Sequence, residues 1–316
     1  MNLYNLKKEI LNGYQLSKNE AIQLVDEDLN LLCKFANEIR EHFCGSQFDI
    51  CTIINAKSGR CSEDCKYCAQ SVHYKTVCTE YPLLSSDIIK KEAIRNAKQG
   101  VMRYSMVTSG KNVTDAEIDT ICDIAENMRD VPIKLCGSFG LLKRAQYEKL
   151  YHAGLTRMHN NLETSQRNFP NMCSTHSFED KIASINEAKS VGMYICSGAI
   201  IGIGETFEDR IDLAFSLREL NVQSVPINML NPVKGTPYET LDKITEEDFR
   251  KTVALFRFIL PTAYLRLAGG RGLMSDSGYS LFRCGANATI TGDMLTTAGI
   301  SMEEDIQKIK EMGFHF

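Results

Sequence analysis

The chain has 316 residues, 43% of them hydrophobic, with 12 cysteines and a formal net charge of −4. That length suits one large barrel or two smaller domains with a sizeable core, and the slightly acidic balance leaves no basic footprint for nucleic acid. No apolar run approaches a membrane span, and the polar start Met1-Asn2-Leu3-Tyr4-Asn5-Leu6-Lys7-Lys8 does not read as a signal sequence, so a soluble, cytoplasmic protein is expected.

Residues 1–45 read as a helical extension in which Ile22, Val25, Leu29 and Leu32 recur at helical spacing and share one face. Beyond it, short apolar runs alternate with longer amphipathic stretches. Strands are predicted at 48–54, 101–107, 133–136, 156–159, 194–200, 224–227, 264–266 and 288–290. Helices are predicted near 86–99, 115–129, 142–152, 178–190, 206–220, 245–259, 276–283 and 301–312. Strand–helix alternation implies an α/β protein with a parallel sheet. Eight units are the count of a closed (β/α)8 TIM-type barrel over 46–316, with an open doubly wound sheet as the competing architecture. In a barrel the site lies at the C-terminal ends of the strands, where Ser105, Cys136, His159, Asn161, Glu163, Cys196, Asn228 and Arg266 fall.

The densest chemical signal is Cys61-Ser62-Glu63-Asp64-Cys65-Lys66-Tyr67-Cys68, a CxxxCxxC loop after the first predicted strand. Three close thiolates suit an iron–sulfur cluster. A cubane usually takes four protein ligands, so three leave one iron open, as catalytic metal sites keep an open position. A zinc knuckle would show a second C-x2-C pair nearby, and none is present. A disulfide framework belongs to short secreted chains. In a reducing compartment the other cysteines are expected to be metal ligands or small buried hydrophobes.

With its aromatic residue between the second and third cysteines, this loop resembles that of the radical S-adenosylmethionine enzymes. The stretches Asn161-Leu-Glu-Thr-Ser165, Cys196-Ser-Gly-Ala-Ile-Ile-Gly-Ile-Gly-Glu205, Ser224-Val-Pro-Ile-Asn-Met-Leu230, Lys234-Gly-Thr-Pro237, Leu265-Arg-Leu-Ala-Gly-Gly-Arg271, Cys284-Gly-Ala-Asn287 and Leu295-Thr-Thr297 are similar to those of the biotin synthase family, in family order. The resemblance implies a transferase that inserts sulfur into dethiobiotin. A [4Fe–4S] cluster on Cys61, Cys65 and Cys68 binds S-adenosylmethionine and generates 5′-deoxyadenosyl radicals, and an auxiliary iron–sulfur cluster donates the sulfur. It further implies a homodimer and a reducing protein such as flavodoxin or ferredoxin. The alternative within the same fold is a maturase of iron-only hydrogenases. A non-catalytic iron–sulfur carrier and a zinc-stapled module are the readings from other classes.

By the same resemblance Tyr67 packs on the adenine and Glu163 contacts the ribose. Gly202, Gly204 and Glu205 belong to the cofactor-binding set. Asn161 and Asn228 grip the ureido ring, and Thr296 and Thr297 bind the valerate carboxylate. The family's auxiliary cluster is [2Fe–2S], held by three cysteines and an arginine, and Cys136, Cys196 and Arg266 match three of those positions. The fourth departs: Ser105 stands where the family usually has cysteine. Either Ser105 ligates iron as a harder alkoxide, or another thiol such as Cys51 moves in, or the cluster is of another type. His159 and His176 stand where the family commonly has asparagine and arginine, and neither is assigned a role.

Overall fold

The computed structural model describes residues 2–297 and 299–316. Short polar side chains set most of its helix starts. Ser17 with Glu20, Thr114 with Glu117, Ser177 with Asp180 and Thr206 with Asp209 form reciprocal capping boxes, which satisfy backbone N–H groups that a helix start leaves without partners. Three helices open the chain: α1 (Leu3–Leu11), α2 (Lys18–Gln23) and α3 (Leu29–Cys44). Then follow β1 (Asp49–Lys57), α4 (Ser86–Lys98), β2 (Arg103–Thr108), α5 (Asp115–Glu126), β3 (Lys134–Ser138), α6 (Arg144–Ala153) and β4 (Arg157–His159). The second half runs α7 (Phe169–Met172), α8 (Phe178–Ser190), β5 (Tyr194–Cys196), β6 (Ala199–Ile201), α9 (Phe207–Glu219), β7 (Ser224–Met229), α10 (Glu246–Ile259), β8 (Tyr264–Leu267), β9 (Ala288–Ile290) and α11 (Met302–Glu311).

All strand pairs are parallel, in the order β5-β4-β3-β2-β1-β9-β8-β7-β6. A β5–β7 pairing closes the ring. β5 and β6 are two halves of one strand position, so the barrel has eight staves. The single strand predicted over 194–200 is therefore broken. The physical reason lies in β7: Cys196 pairs with Ser224 and Ala199 with Ile227, so Ser197 and Gly198 lie opposite Val225 and Pro226. Proline has no N–H to donate, and the ladder stops there. Gly198 makes the close approach possible, because a Cβ at that position would lie 1.8 Å from the Pro226 carbonyl oxygen.

Two further expectations change. The amphipathic face predicted from Ile22 to Leu32 is not one helix. Asp28 caps α3 by accepting from the Leu31 N–H at 2.8 Å, and Ile22 stays exposed. The helix predicted over 276–283 is a 3-10 turn at Tyr279–Arg283. The Asp276 carboxylate accepts from the N–H groups of Gly278 (2.8 Å) and Ser280 (2.7 Å), a local bond that competes with helix.

The extension is packed into the molecule. Leu32, Phe35, Ala36 and Ile39 of α3 are buried in one core with Phe249, Val253 and Phe256 of α10. Cys33 is disulfide-bonded to Cys284, ahead of β9, where the sequence led us to expect only reduced thiols. No helix among the described residues is long and apolar enough to cross a membrane.

Candidate active site

Backbone bonds hold the cysteine loop in a fixed shape. The Cys61 N–H donates to the Gln70 carbonyl at 2.9 Å, Val72 N–H to Cys61 at 2.9 Å, and Cys68 N–H to Cys65 at 2.9 Å. The loop is tied to distant segments by Lys66 N–H to the Met172 carbonyl at 3.0 Å and Tyr238 N–H to the Lys66 carbonyl at 3.3 Å. Cys61, Cys65 and Cys68 thereby line one cavity of about 360 Å³ at the C-terminal mouth of the barrel. Burial pushes the Cys68 thiol up to about 11. A thiol so placed ionises readily only when a metal offsets the charge, so this donor set fits a metal cluster.

The cavity wall carries most of the predicted binding residues: Tyr67, Asn161, Glu163, Asn228, Thr296 and Thr297. Tyr67 donates its hydroxyl to Glu163 Oε1 at 3.1 Å, while Glu163 Oε2 is buried with no hydrogen-bond partner. Glu163 takes a left-handed φ of 70°; its N–H donates to the Gly198 carbonyl in the strand break, and its carbonyl accepts from the Ile200 N–H in β6. Burial raises its carboxyl above the ordinary range. Asn161 accepts from the Gly198 N–H at 2.9 Å and faces a ring nitrogen of His159 at 2.8 Å. Asn228 donates to the Ala199 carbonyl at 2.8 Å and accepts from the Gly269 N–H at 2.9 Å. Both amides are held rigidly at the cavity edge. Burial lowers His159 to about 4, so its imidazole is neutral at pH 7.

One layer deeper lies a second constellation. Ile53, Val107 and Ser138 line the cavity, and Cys51, Ser105 and Cys136 precede them by two residues on the same strand faces, roughly 7 Å further in. Cys51, Cys136, Cys196 and Arg266 act on one another electrostatically. Burial raises Cys51 well above an ordinary thiol and Cys136 to about 11. Ser105 Oγ is buried without a partner. Arg103, Arg157 and Arg266 surround this floor, all largely buried, and Asp49 pairs with two of them, Arg266 and, at 2.7 Å, Arg103. Buried guanidiniums beyond the number of paired carboxylates are costly unless an anionic group neutralises them. The thiols, the orphan hydroxyl and the excess positive charge together fit an anionic iron–sulfur cluster. Arg266 thus has a carboxylate partner in Asp49 and lies among the thiols as well.

Gly202, Gly204 and Glu205 are not among the cavity-lining residues. Glu205 accepts from the N–H groups of Gly202 (2.9 Å) and Ile203 (2.7 Å) and pairs with Arg210 at 2.8 Å. Its carboxylate braces the loop after β6, and the left-handed Gly202 and Gly204 shape that loop. Sequence reasoning missed Asp49, Arg103, Lys181, Glu63 and Cys173. Lys181 lines the cavity with its ammonium 3.1 Å from Asn160 Oδ1. A basic residue on the first turn of a helix that starts at the mouth was a signal available in the sequence.

The Radical SAM superfamily model matches residues 56–217, and the Biotin and Thiamin Synthesis associated domain model matches residues 226–315. The chain is 54% identical over 314 residues to the biotin synthase of Clostridium botulinum (strain Hall), covering 99% of both chains. It is 51% identical to that of Brachyspira hyodysenteriae, covering 99% of this chain and 95% of the relative. The chain belongs to the biotin synthase family. It is thus a radical S-adenosylmethionine enzyme. Among solved structures, methylornithine synthase superposes with a TM-score of 0.82 at 17% identity, covering 98% of this chain and 96% of that one. The FeFe-hydrogenase maturase HydG from Carboxydothermus hydrogenoformans superposes with a TM-score of 0.83 at 17% identity, covering 98% and 78%. These two likenesses carry the fold alone. Membership implies a [4Fe–4S] cluster, S-adenosylmethionine and an auxiliary cluster, and the two donor sets just described fit them.

Proposed function

We propose that this protein converts dethiobiotin to biotin, with Cys61, Cys65 and Cys68 holding the [4Fe–4S] cluster and the deeper thiols holding the sulfur donor. The observation that carries the reading is the layered order of the barrel interior. Three thiols stand at the mouth, rigid amides and hydroxyls line the cavity, and a thiol–guanidinium set lies one layer below. A substrate between the layers has a radical source on one side and a sulfur source on the other. The [4Fe–4S] cluster, when bound, supplies the electron that cleaves S-adenosylmethionine.

The chain's own residues bind and orient. Tyr67 and the orphan oxygen of Glu163 suit an adenosine, the carboxylate accepting from ribose hydroxyls. Lys181 suits a carboxylate of the same cofactor. Asn161 and Asn228 each present an amide that complements a cyclic urea. Thr296 and Thr297, in the loop after β9, suit the far carboxylate of the substrate. Ile53, Ile200, Ile290 and Leu295 supply the apolar lining that keeps water from a reactive carbon radical. Below them, Cys51, Cys136 and Cys196 would supply the thiolates that hold the auxiliary cluster, beside an Arg266 guanidinium that Asp49 fixes while itself paired with Arg103. Cys51 takes up the position left open by Ser105. A homodimer and a flavodoxin- or ferredoxin-type donor complete the proposal.

The test is anaerobic, iron- and sulfide-replete protein with dithionite, S-adenosylmethionine and dethiobiotin, followed by mass detection of 5′-deoxyadenosine and biotin. Both are expected. Absence of 5′-deoxyadenosine from cluster-loaded protein overturns the radical half. 5′-Deoxyadenosine without biotin overturns the assignment of substrate or sulfur donor.

A further inference from the structure

Beside the cysteine loop lie two ligand-type side chains that the proposed reaction does not use. Cys173 and His176 sit on the turn between α7 and α8, and they face Cys65. The Cys65 and Cys173 sulfurs are 3.7 Å apart. Cys173 Sγ lies 3.3 Å from His176 Nδ1 and 3.9 Å from Nε2. One ligand atom from each of the three residues falls within 4.8 Å of the others. We propose that Cys65, Cys173 and His176 form a mononuclear site for a soft divalent cation, Zn²⁺ or Fe²⁺, open to occupation whenever the [4Fe–4S] cluster is absent.

The distances carry the argument. A tetrahedral ion with metal–sulfur bonds of about 2.3 Å holds two thiolates about 3.8 Å apart, and a thiolate and an imidazole about 3.6 Å apart. The observed sulfur–sulfur separation of 3.7 Å matches the first figure, and Nε2, the ring nitrogen that Glu63 leaves free, lies 3.9 Å from Cys173 Sγ, within a few tenths of an ångström of the second. Two sulfurs at that spacing converge on one ion. The histidine is also prepared as a ligand. Its ring is 5% exposed, and Nδ1 lies 2.6 Å from Glu63 Oε2. A carboxylate on one ring nitrogen fixes the ring and leaves the other for a metal. Glu63 is itself held by Thr175 Oγ1 at 2.9 Å and Ser62 Oγ at 3.1 Å. On the other side of Cys173, the Asp64 carboxylate accepts from the Ser174 N–H at 2.8 Å and from Cys173 Sγ at 3.2 Å. Cys65 and His176 both line the cavity, so an ion reaches the site from solvent.

Binding displaces whatever protons the two sulfurs carry and involves no redox step. Because Cys65 belongs to both donor sets, the single ion and the [4Fe–4S] cluster exclude one another. The site is therefore either the first seat of iron in the cluster-free chain or a trap for zinc, according to which cation reaches it.

Cobalt(II) is the probe, titrated anaerobically into full-length, chelator-stripped, reduced protein. One equivalent is expected to give the visible bands of tetrahedral cobalt with sulfur-to-metal charge transfer. The Cys61→Ser/Cys68→Ser variant is expected to keep that spectrum. Cys173→Ala and, separately, His176→Ala are expected to abolish it, and Glu63→Gln to weaken binding about 10–100-fold. Cluster reconstitution is expected to expel the cobalt. An unchanged spectrum in Cys173→Ala, its loss in Cys61→Ser/Cys68→Ser, or cobalt retained at full cluster occupancy overturns the proposal. None of these readouts requires biotin formation, so the site and the proposed reaction fail independently.

Discussion

Asp209 accepts from Ser165 Oγ at 2.6 Å, from Arg167 Nε at 2.9 Å and from the Thr206 N–H at 2.8 Å, so a single carboxylate ties the loop after β4 to the start of α9. Burial alone would raise its pKa, but these bonds outweigh it and hold the group at about 2. The folded value lies below the unfolded one of about 3.9, so its stabilisation is complete above pH 4 and lost as pH falls towards 2. Asp209→Asn should cost about 2 kcal/mol at neutral pH and flatten the acid limb of stability between pH 4 and 2, as measured by urea unfolding across pH. A second residue prediction concerns the sulfur donor. Ser105→Ala should leave the auxiliary Mössbauer signal in place, and Cys51→Ala should remove it with the [4Fe–4S] signal intact; the reverse pattern would restore Ser105 as the ligand. Ser105, Cys136, Cys196 and Arg266 were placed at strand ends by the sequence and connected with an auxiliary cluster by the family resemblance, Ser105 as a departure from it. Asp49 as the partner of Arg266 was not, since that pairing spans 217 residues and depends on barrel closure. Cys173 and His176 were opaque for the same reason: their spacing acquires meaning only when the turn after α7 folds against Cys65.

At the scale of elements, the alternation of apolar runs with capped amphipathic stretches revealed eight strand positions, because strands buried on both faces read as short apolar blocks. Most predicted boundaries fall within a few residues of the observed ones. The break in the fifth position was not read, although both its causes were in the sequence: Pro226 cannot extend the ladder, and Gly198 admits its carbonyl. That break places backbone groups where Asn161 and Asn228 need them, through the Gly198 N–H and the Ala199 carbonyl. Gly198→Ala should therefore force two backbones apart and cost about 2–3 kcal/mol, with a raised KM for dethiobiotin. Gly204→Ala is the control. Nothing lies within 4 Å of its added Cβ, so only its left-handed φ matters, at about 1–2 kcal/mol. Equal effects on KM from the two variants would separate the strand break from the substrate site.

At the scale of the molecule, the extension of residues 1–45 and the barrel of 46–316 were read as separate units, and the packing argues that they fold as one. Lys251 of α10 donates to the Val25 carbonyl at 2.6 Å, and Arg218 of α9 donates to the Leu16 carbonyl at 2.9 Å. The Cys33–Cys284 bond crosses the same boundary. Leu32, Phe35 and Ile39 are each no more than 6% exposed. Burying three such side chains contributes on the order of 5–9 kcal/mol, comparable to the whole net stability of a typical domain. Removing the extension also uncovers the apolar faces of α9 and α10. A chain of residues 46–316 should therefore lack a cooperative urea transition and bind a hydrophobic dye as expanded states do. Reduction of the disulfide in the full chain should lower the midpoint without abolishing cooperativity, because the buried α3–α10 contact remains. A cooperative transition in the truncated chain would instead make the barrel self-sufficient, with the N-terminal helices an accessory cover.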